Sequence, residues 1–125
     1  MATHNLFGAS AESLAATFLE ARGWSLLHRN WRWRSREIDI VARRGRLVAF
    51  VEVRARRSAD RGHPFETIGR RKRRDLEIAA RAWIAIHGAA ADEYRFDAIA
   101  VLDGTGTGTA SAGALVEYLA DAWRG

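Results

Sequence analysis

Cysteine is absent from the 125 residues, and proline, methionine and lysine occur once each, the lysine as Lys72. Without cysteine, disulfides and thiolate metal sites are excluded, and a reducing compartment is permitted. No apolar run approaches the ~20 residues needed to cross a bilayer. The stretch Met1-Ala2-Thr3-His4-Asn5-Leu6-Phe7 lacks the basic start and apolar core of a secretory signal. The expectation is a cytoplasmic protein with no membrane partner. What the chain does have is arginine. Its formal charge is +5, with a pI of about 10.9. That balance favours a polyanion partner, because arginines bound to phosphates release condensed counterions. A biased composition would produce the same excess with no binding role.

With 48% hydrophobic and 28% charged residues, the chain can build one core, and its length fits a single domain over 1–125. Ser10 followed by Ala11–Arg22 predicts a helix, with Leu14, Ala15, Phe18 and Leu19 at helical spacing, Ser10 as cap and Gly23 as stop. Trp24–Arg34, Glu37–Ala42 and Leu47–Arg54 predict three strands, the last two joined as an antiparallel hairpin. A polar loop over Ser58–Pro64 leads to a long helix from Phe65 or Ile68 to His87. Leu76, Ala79, Ala80, Trp83 and Ile84 form its buried stripe, and Gly88 its stop. Arg95–Leu102 predicts a strand parallel to Leu47–Arg54 through a βαβ crossover. Residues 103–113, rich in Gly and Thr, read as a mobile loop, and Ala114–Trp123 as a short strand or helix. The order α-β-β-β-α-β makes an α/β fold, a mixed sheet flanked by helices.

The informative feature is acid inside apolar strands. Period 2 puts Glu37, Asp39 and Val41 on one face, with Ile38 and Ile40 on the other. The same alternation groups Val48, Phe50, Glu52 and Arg54. If Arg44-Gly45 is the two-residue loop, Asp39 faces Phe50, Glu37 faces Glu52, and Asp39 and Glu52 are diagonal neighbours roughly 7–8 Å apart. Two carboxylates so placed can share a small hard cation such as Mg²⁺, which prefers oxygen ligands. Burying both without a cation would force one to protonate. The plainer reading is an ion-pair ladder in which each carboxylate meets an arginine, Arg54 or Arg36.

Gly8-Ala-Ser-Ala-Glu12, Arg29-Asn-Trp-Arg32, Glu37-Ile-Asp-Ile-Val41 and Phe50-Val-Glu-Val-Arg54 occur in this order. Gly62-His-Pro-Phe-Glu66, Lys72 and Arg95-Phe-Asp97 follow. Together they resemble the YraN-like family of uncharacterised bacterial proteins. These are predicted nucleases similar to archaeal Holliday junction resolvases, within the PD-(D/E)xK restriction-endonuclease-like superfamily. The resemblance implies a restriction-endonuclease-like core and Mg²⁺- or Mn²⁺-dependent phosphodiester hydrolysis of DNA, branched or damaged. It implies Asp39, Glu52 and the Val53 carbonyl as metal ligands, Glu12 as a further catalytic acid, and a homodimer as the working form. Arg54 stands where the family usually has its catalytic lysine. A guanidinium stabilises an anion but stays protonated and cannot act as a base. This substitution favours the alternative, a weakened or inactive nucleic-acid-binding module of the same fold. Arg36 and Ala11 also replace glycines of the pattern. Lys72 could supply the missing ammonium by folding over the sheet edge.

The nucleic-acid-binding candidates are Arg29, Arg32, Arg56, Arg57, Arg70, Arg71, Lys72 and Arg73. The Arg70–Arg74 cluster lies near a helix start, an electrostatically poor place for cations that phosphate contact would explain; a solvated helix face is the bland reading. Trp31 and Trp33 could stack on unpaired bases, although tryptophans in a strand are more often core. Trp83 and Trp123 read as core, and Asp97 as a structural hydrogen-bond acceptor. The four histidines share no ligand spacing, and His63 could approach the site from its loop. An acidic protein partner for the basic face is a third reading.

Overall fold

The structure is a computed structural model that describes residues 3–57, 69–103 and 114–123; at 3–10, 56–57, 103 and 114–115 only the backbone is described. Helix α1 (Thr3–Ala21) leads into strands β1 (Ser25–Trp33), β2 (Arg36–Arg44) and β3 (Leu47–Arg57). Helix α2 (Arg70–His87) and strands β4 (Glu93–Asp103) and β5 (Ala114–Trp123) complete the order. The five strands form one mixed sheet in chain order, antiparallel except for the parallel β3–β4 pair that α2 connects. The chain is therefore an α/β protein with two helices on one sheet. No helix among the described residues is long and apolar enough to cross a membrane.

Alternation along the strands divides the core in two. Ile40, Ala42, Ala49, Val51, Ile99 and Val101 pack with Ala11, Ala15 and Leu19 of α1. Val41, Val48, Phe50 and Ala98 pack with Leu76, Ala79, Ala80 and Trp83 of α2. The helices thus cover opposite faces. Small side chains at Ala11, Ala15 and Ala16 let α1 lie close to the sheet. Trp83 and Trp123 are buried, as expected. Trp31 and Trp33 are half-buried against the α2 cluster, the packing role rather than open stacking platforms.

Both predicted stops end helices, for different reasons. Gly23 takes φ +85, and the Trp24 and Gly23 N–H groups return to the Leu19 and Glu20 carbonyls at 3.1 Å, a Schellman closure. Gly88 has ordinary φ; a side chain there would collide with the Tyr94 hydroxyl and the Ile84 carbonyl. The start of α1 differs from expectation. The helix begins at Thr3, and Ser10 lies inside it instead of capping it. No proline interrupts Thr3–Ser10, and Gly8 costs only about 1 kcal/mol in a helix. Residues 65–68 and 104–113, where a helix start and a mobile loop were expected, lie outside the described residues. Asp103 ends β4, and Ala114–Trp123 is a strand.

The register of the hairpin also differs. Arg44 pairs with Leu47, so the two-residue loop is Gly45-Arg46, one step later than expected. Gly45, with φ +64, occupies the first central position, where a type II′ turn requires glycine. The shift puts Asp39 and Glu52 one step beyond the last paired residues, Ile40↔Val51, in place of the expected diagonal relation.

Candidate metal centre

The β2–β3 ladder runs from Arg44↔Leu47 to Ile40↔Val51 and stops there. Beyond that point β2 pairs with β1 (Ile38↔Trp31), and β3 pairs with β4 (Glu52↔Ala98). Asp39 and Glu52 are the first residues past the end of the ladder, where the two strands part company. Alternation breaks at the same place. Ile38 joins the α2 cluster and Ile40 the α1 cluster, although a regular strand would put both on one face. The expected pairing of Ile38 with Ile40 on one face is therefore corrected. Instead of a ladder bond to β2, the Val53 N–H donates to Asp39 Oδ2 at 2.8 Å.

Glu52 is 4% exposed, and its Oε2 is buried with no N–H or O–H partner among the described residues. Its other oxygen, Oε1, lies 3.5 Å from Lys72 Nζ and 4.0 Å from an Arg54 guanidinium nitrogen. The Asp39 and Glu52 carboxyl groups are within hydrogen-bonding reach, a contact that needs a proton on one of them. Burial, then the Glu52 charge, push the Asp39 carboxyl up to about 7 against the help of the Val53 N–H and Lys72. Burial also raises Glu52, which Lys72, Asp39 and Arg54 partly offset.

Glu12 reaches the same place from α1. Burial and the Asp39 charge raise its pKa, and a hydrogen bond from the Asn30 side chain opposes them. Asn30 lies in β1 with φ +52, a conformation asparagine tolerates better than most residues. Asn30 belongs to the Arg29-Asn-Trp-Arg32 block and is an asparagine inside a strand, where that residue is rare, but neither signal pointed to Glu12.

The arginine-ladder reading is realised only in part. Arg36 pairs with Asp75 at 3.2 Å, away from both carboxylates, while Arg54 approaches Glu52. Glu37, expected opposite Glu52, instead faces Arg32 across β1–β2, with their charged ends 3.2 Å apart. Among the phosphate-binding candidates, Arg29, Arg70, Arg71 and Arg73 are exposed. Arg56 and Arg57 lie in β3 with side chains outside the described residues. Lys72 points into the acid pair. Asp97 is elsewhere, held by Arg95, Tyr118 and the Asp121 N–H. The structure also joins two histidines that sequence spacing kept apart. The rings of His28 and His87 lie 4.8 Å apart, but the Trp83 indole N–H occupies His28 Nδ1 at 2.9 Å. His63 lies outside the described residues.

Among the described residues, no three His, Asp or Glu side chains gather at metal-ligating distance. The donor set is therefore two carboxylates, with Val53 backbone beside them. Those donors still fit a small divalent cation. They are hard oxygens of like charge in a desolvated place, and one buried oxygen lacks a donor among the described residues. Mg²⁺ usually keeps several waters and needs only one or two carboxylates.

Residues 11–101 match the profile of the uncharacterised protein family UPF0102. A UPF0102 protein of Renibacterium salmoninarum is 46% identical over 102 residues, 82% of this chain and 86% of that protein. One from Leifsonia xyli is 44% identical over 103 residues, 82% and 87% of the two chains. One from Beutenbergia cavernae is 41% identical over 119 residues, 95% and 97% of the two.

Proposed function

This chain belongs to the UPF0102 family, and from that premise we propose that it is a metal-dependent nuclease-like protein with a restriction-endonuclease-like core, acting on DNA by phosphodiester hydrolysis. The observation that carries the reading is the pair of half-buried Asp39 and buried Glu52 at the fork of the hairpin, with an oxygen of Glu52 left without a donor among the described residues. Two buried like charges are costly unless a ligand uses them, and such perturbed acids concentrate at functional sites. The resemblance of Glu37-Ile-Asp39 and Phe50-Val-Glu-Val-Arg54 to the PD-(D/E)xK pattern supports the same assignment.

Asp39, Glu52 and the Val53 carbonyl would hold Mg²⁺ or Mn²⁺. When bound, the ion supplies Lewis acidity, making water a nucleophile near neutral pH and offsetting charge on the phosphate. Glu12 adds a third acid behind Asp39, oriented by Asn30. Arg54 and Lys72 place two cations on the Glu52 side, where they can stabilise an anionic phosphate. Arg29, Arg32, Arg56, Arg57, Arg70, Arg71 and Arg73 would bind flanking phosphates, giving salt-sensitive affinity. A homodimer, implied by the resolvase resemblance, would present two such sites to branched DNA.

The test is cleavage of branched and single-stranded DNA by purified protein with Mn²⁺. Asp39→Asn and Glu52→Gln should each lower the rate by about 100-fold or more while leaving DNA binding intact. Metal-dependent cutting that survives both substitutions overturns the assignment. Arg54 favours a second reading, a nucleic-acid-binding module without turnover, because a guanidinium cannot take a proton. That reading predicts no cutting by the wild type and a gain of cutting in Arg54→Lys.

A further inference from the structure

Lys72 is the only lysine of the chain, and it stands on the first turn of α2, the helix packed over the face that carries Phe50 and Glu52. Its ammonium meets Glu52 Oε1 at 3.5 Å, well beyond the roughly 2.7–2.9 Å of a tight charge-assisted hydrogen bond. Its charge also acts on Asp39. The lysine side chain is 43% exposed, whereas that of Glu52 is 5% exposed. A cation is therefore loosely held over a buried acid, on a flexible four-carbon stem that can withdraw with no change in the backbone. A divalent ion would place two charges in direct contact with oxygens of both acids, more than one loosely seated ammonium provides.

We infer that Lys72 is an exchangeable counter-ion: its ammonium neutralises the Asp39–Glu52 pair in the metal-free protein and is displaced to solvent when a divalent cation binds. This rests on the metal-binding reading of the pair given above. It adds that lysine and metal compete for the same acids. Metal-free protein thereby avoids a bare buried charge pair, and the ammonium is released beside the site only once metal is present, where it can meet a phosphate. The site would then gain its full positive field only in the metal-loaded form.

Two measurements on the full chain, with Mn²⁺ alone as the probe, test the exchange. In calorimetric titration, Lys72→Met should bind Mn²⁺ about tenfold more tightly than wild type, because a competing charge is removed. Lys72→Arg, which keeps the charge, should stay near wild type. In wild type, reductive methylation at Lys72 Nζ, read by mass spectrometry, should run several-fold faster in saturating Mn²⁺ than in chelator. With one lysine in the chain, peptide mapping needs only to separate Lys72 from the reactive α-amine. Equal or weaker binding by Lys72→Met, or labelling that is unchanged or slowed by Mn²⁺, overturns the exchange. If wild type binds Mn²⁺ and Lys72→Met binds it equally, only the exchange falls; if neither variant nor wild type binds Mn²⁺, the metal reading falls with it.

Discussion

Two places in this small sheet bury acid, and they are built in opposite ways. Asp97 in β4 is fully buried, yet every direction of its carboxylate is used. Arg95 clamps it with two bonds at 2.8 and 2.9 Å, the Asp121 N–H donates at 2.8 Å, and the Tyr118 hydroxyl closes the set. The same contacts hold the irregular end of β5, where Asp121 takes φ +52. The Asp39–Glu52 pair has one backbone donor, two cations at 3.5 and 4.0 Å, and an oxygen with no donor among the described residues. Saturation makes a buried carboxylate a structural rivet, because removing any partner strands a charge. Under-satisfaction makes it a standing cost that a ligand can relieve. The difference in partners, more than the difference in burial, separates a stabilising acid from a candidate site.

Breaking each place should therefore shift stability in opposite directions. The largest effect is expected at the rivet. Asp97→Ala leaves Arg95 and Tyr118 facing a void and should destabilise the fold by about 3 kcal/mol in urea denaturation. At the pair, in chelator and near pH 8, Asp39→Asn should leave stability unchanged or raise it by about 1 kcal/mol, since it removes like-charge repulsion and keeps an acceptor for the Val53 N–H. A loss there as large as that of Asp97→Ala would erase the distinction.

The pH dependence sharpens the contrast. In the folded protein Asp39 has its pKa raised to about 7, above its ordinary 3.8. Between those values the folded state binds a proton that the unfolded chain has released. Asp39 thus contributes stability that is full below the ordinary value and is lost as pH rises through about 7. Chelated wild type should lose stability between about pH 4 and pH 7 more steeply than Asp39→Asn, and parallel profiles would contradict the shift. A much smaller loss than that of Asp97→Ala is expected from Tyr118→Phe. Burial and the bond to Asp97 push this phenol up to about 12, and deleting its hydroxyl removes one of several partners. A loss of about 1 kcal/mol in thermal or urea melts is expected.

Much of the architecture was legible along the chain because its signals are local. Short runs rich in aliphatic, β-branched and aromatic residues marked the first four strands, a 3.6-residue stripe marked α2, and Gly23 and Gly88 marked helix ends. Ala114–Trp123 carried too weak an alternation to choose between strand and helix, and pairing with β4 decided it. That Asp39 and Glu52 would come close together was legible too. Their proximity survives a one-residue slip of the turn on both strands together and the loss of regular alternation at Ile38–Ile40.

What sequence alone determined is therefore the family pattern, the layered α/β character and the closeness of Asp39 and Glu52. These depend on residue type and spacing, which the chain carries wherever it goes. Only the folded molecule decided that Gly45 leads the turn and that Asp39 and Glu52 stand just past the last ladder pair, Ile40↔Val51. Only there does the ladder end one step before that pair, Asn30 reach Glu12, and Lys72 cross from α2 to Glu52. Those relations join residues far apart in the chain, and their distances are set by sheet register and helix packing, which no local window of residues contains.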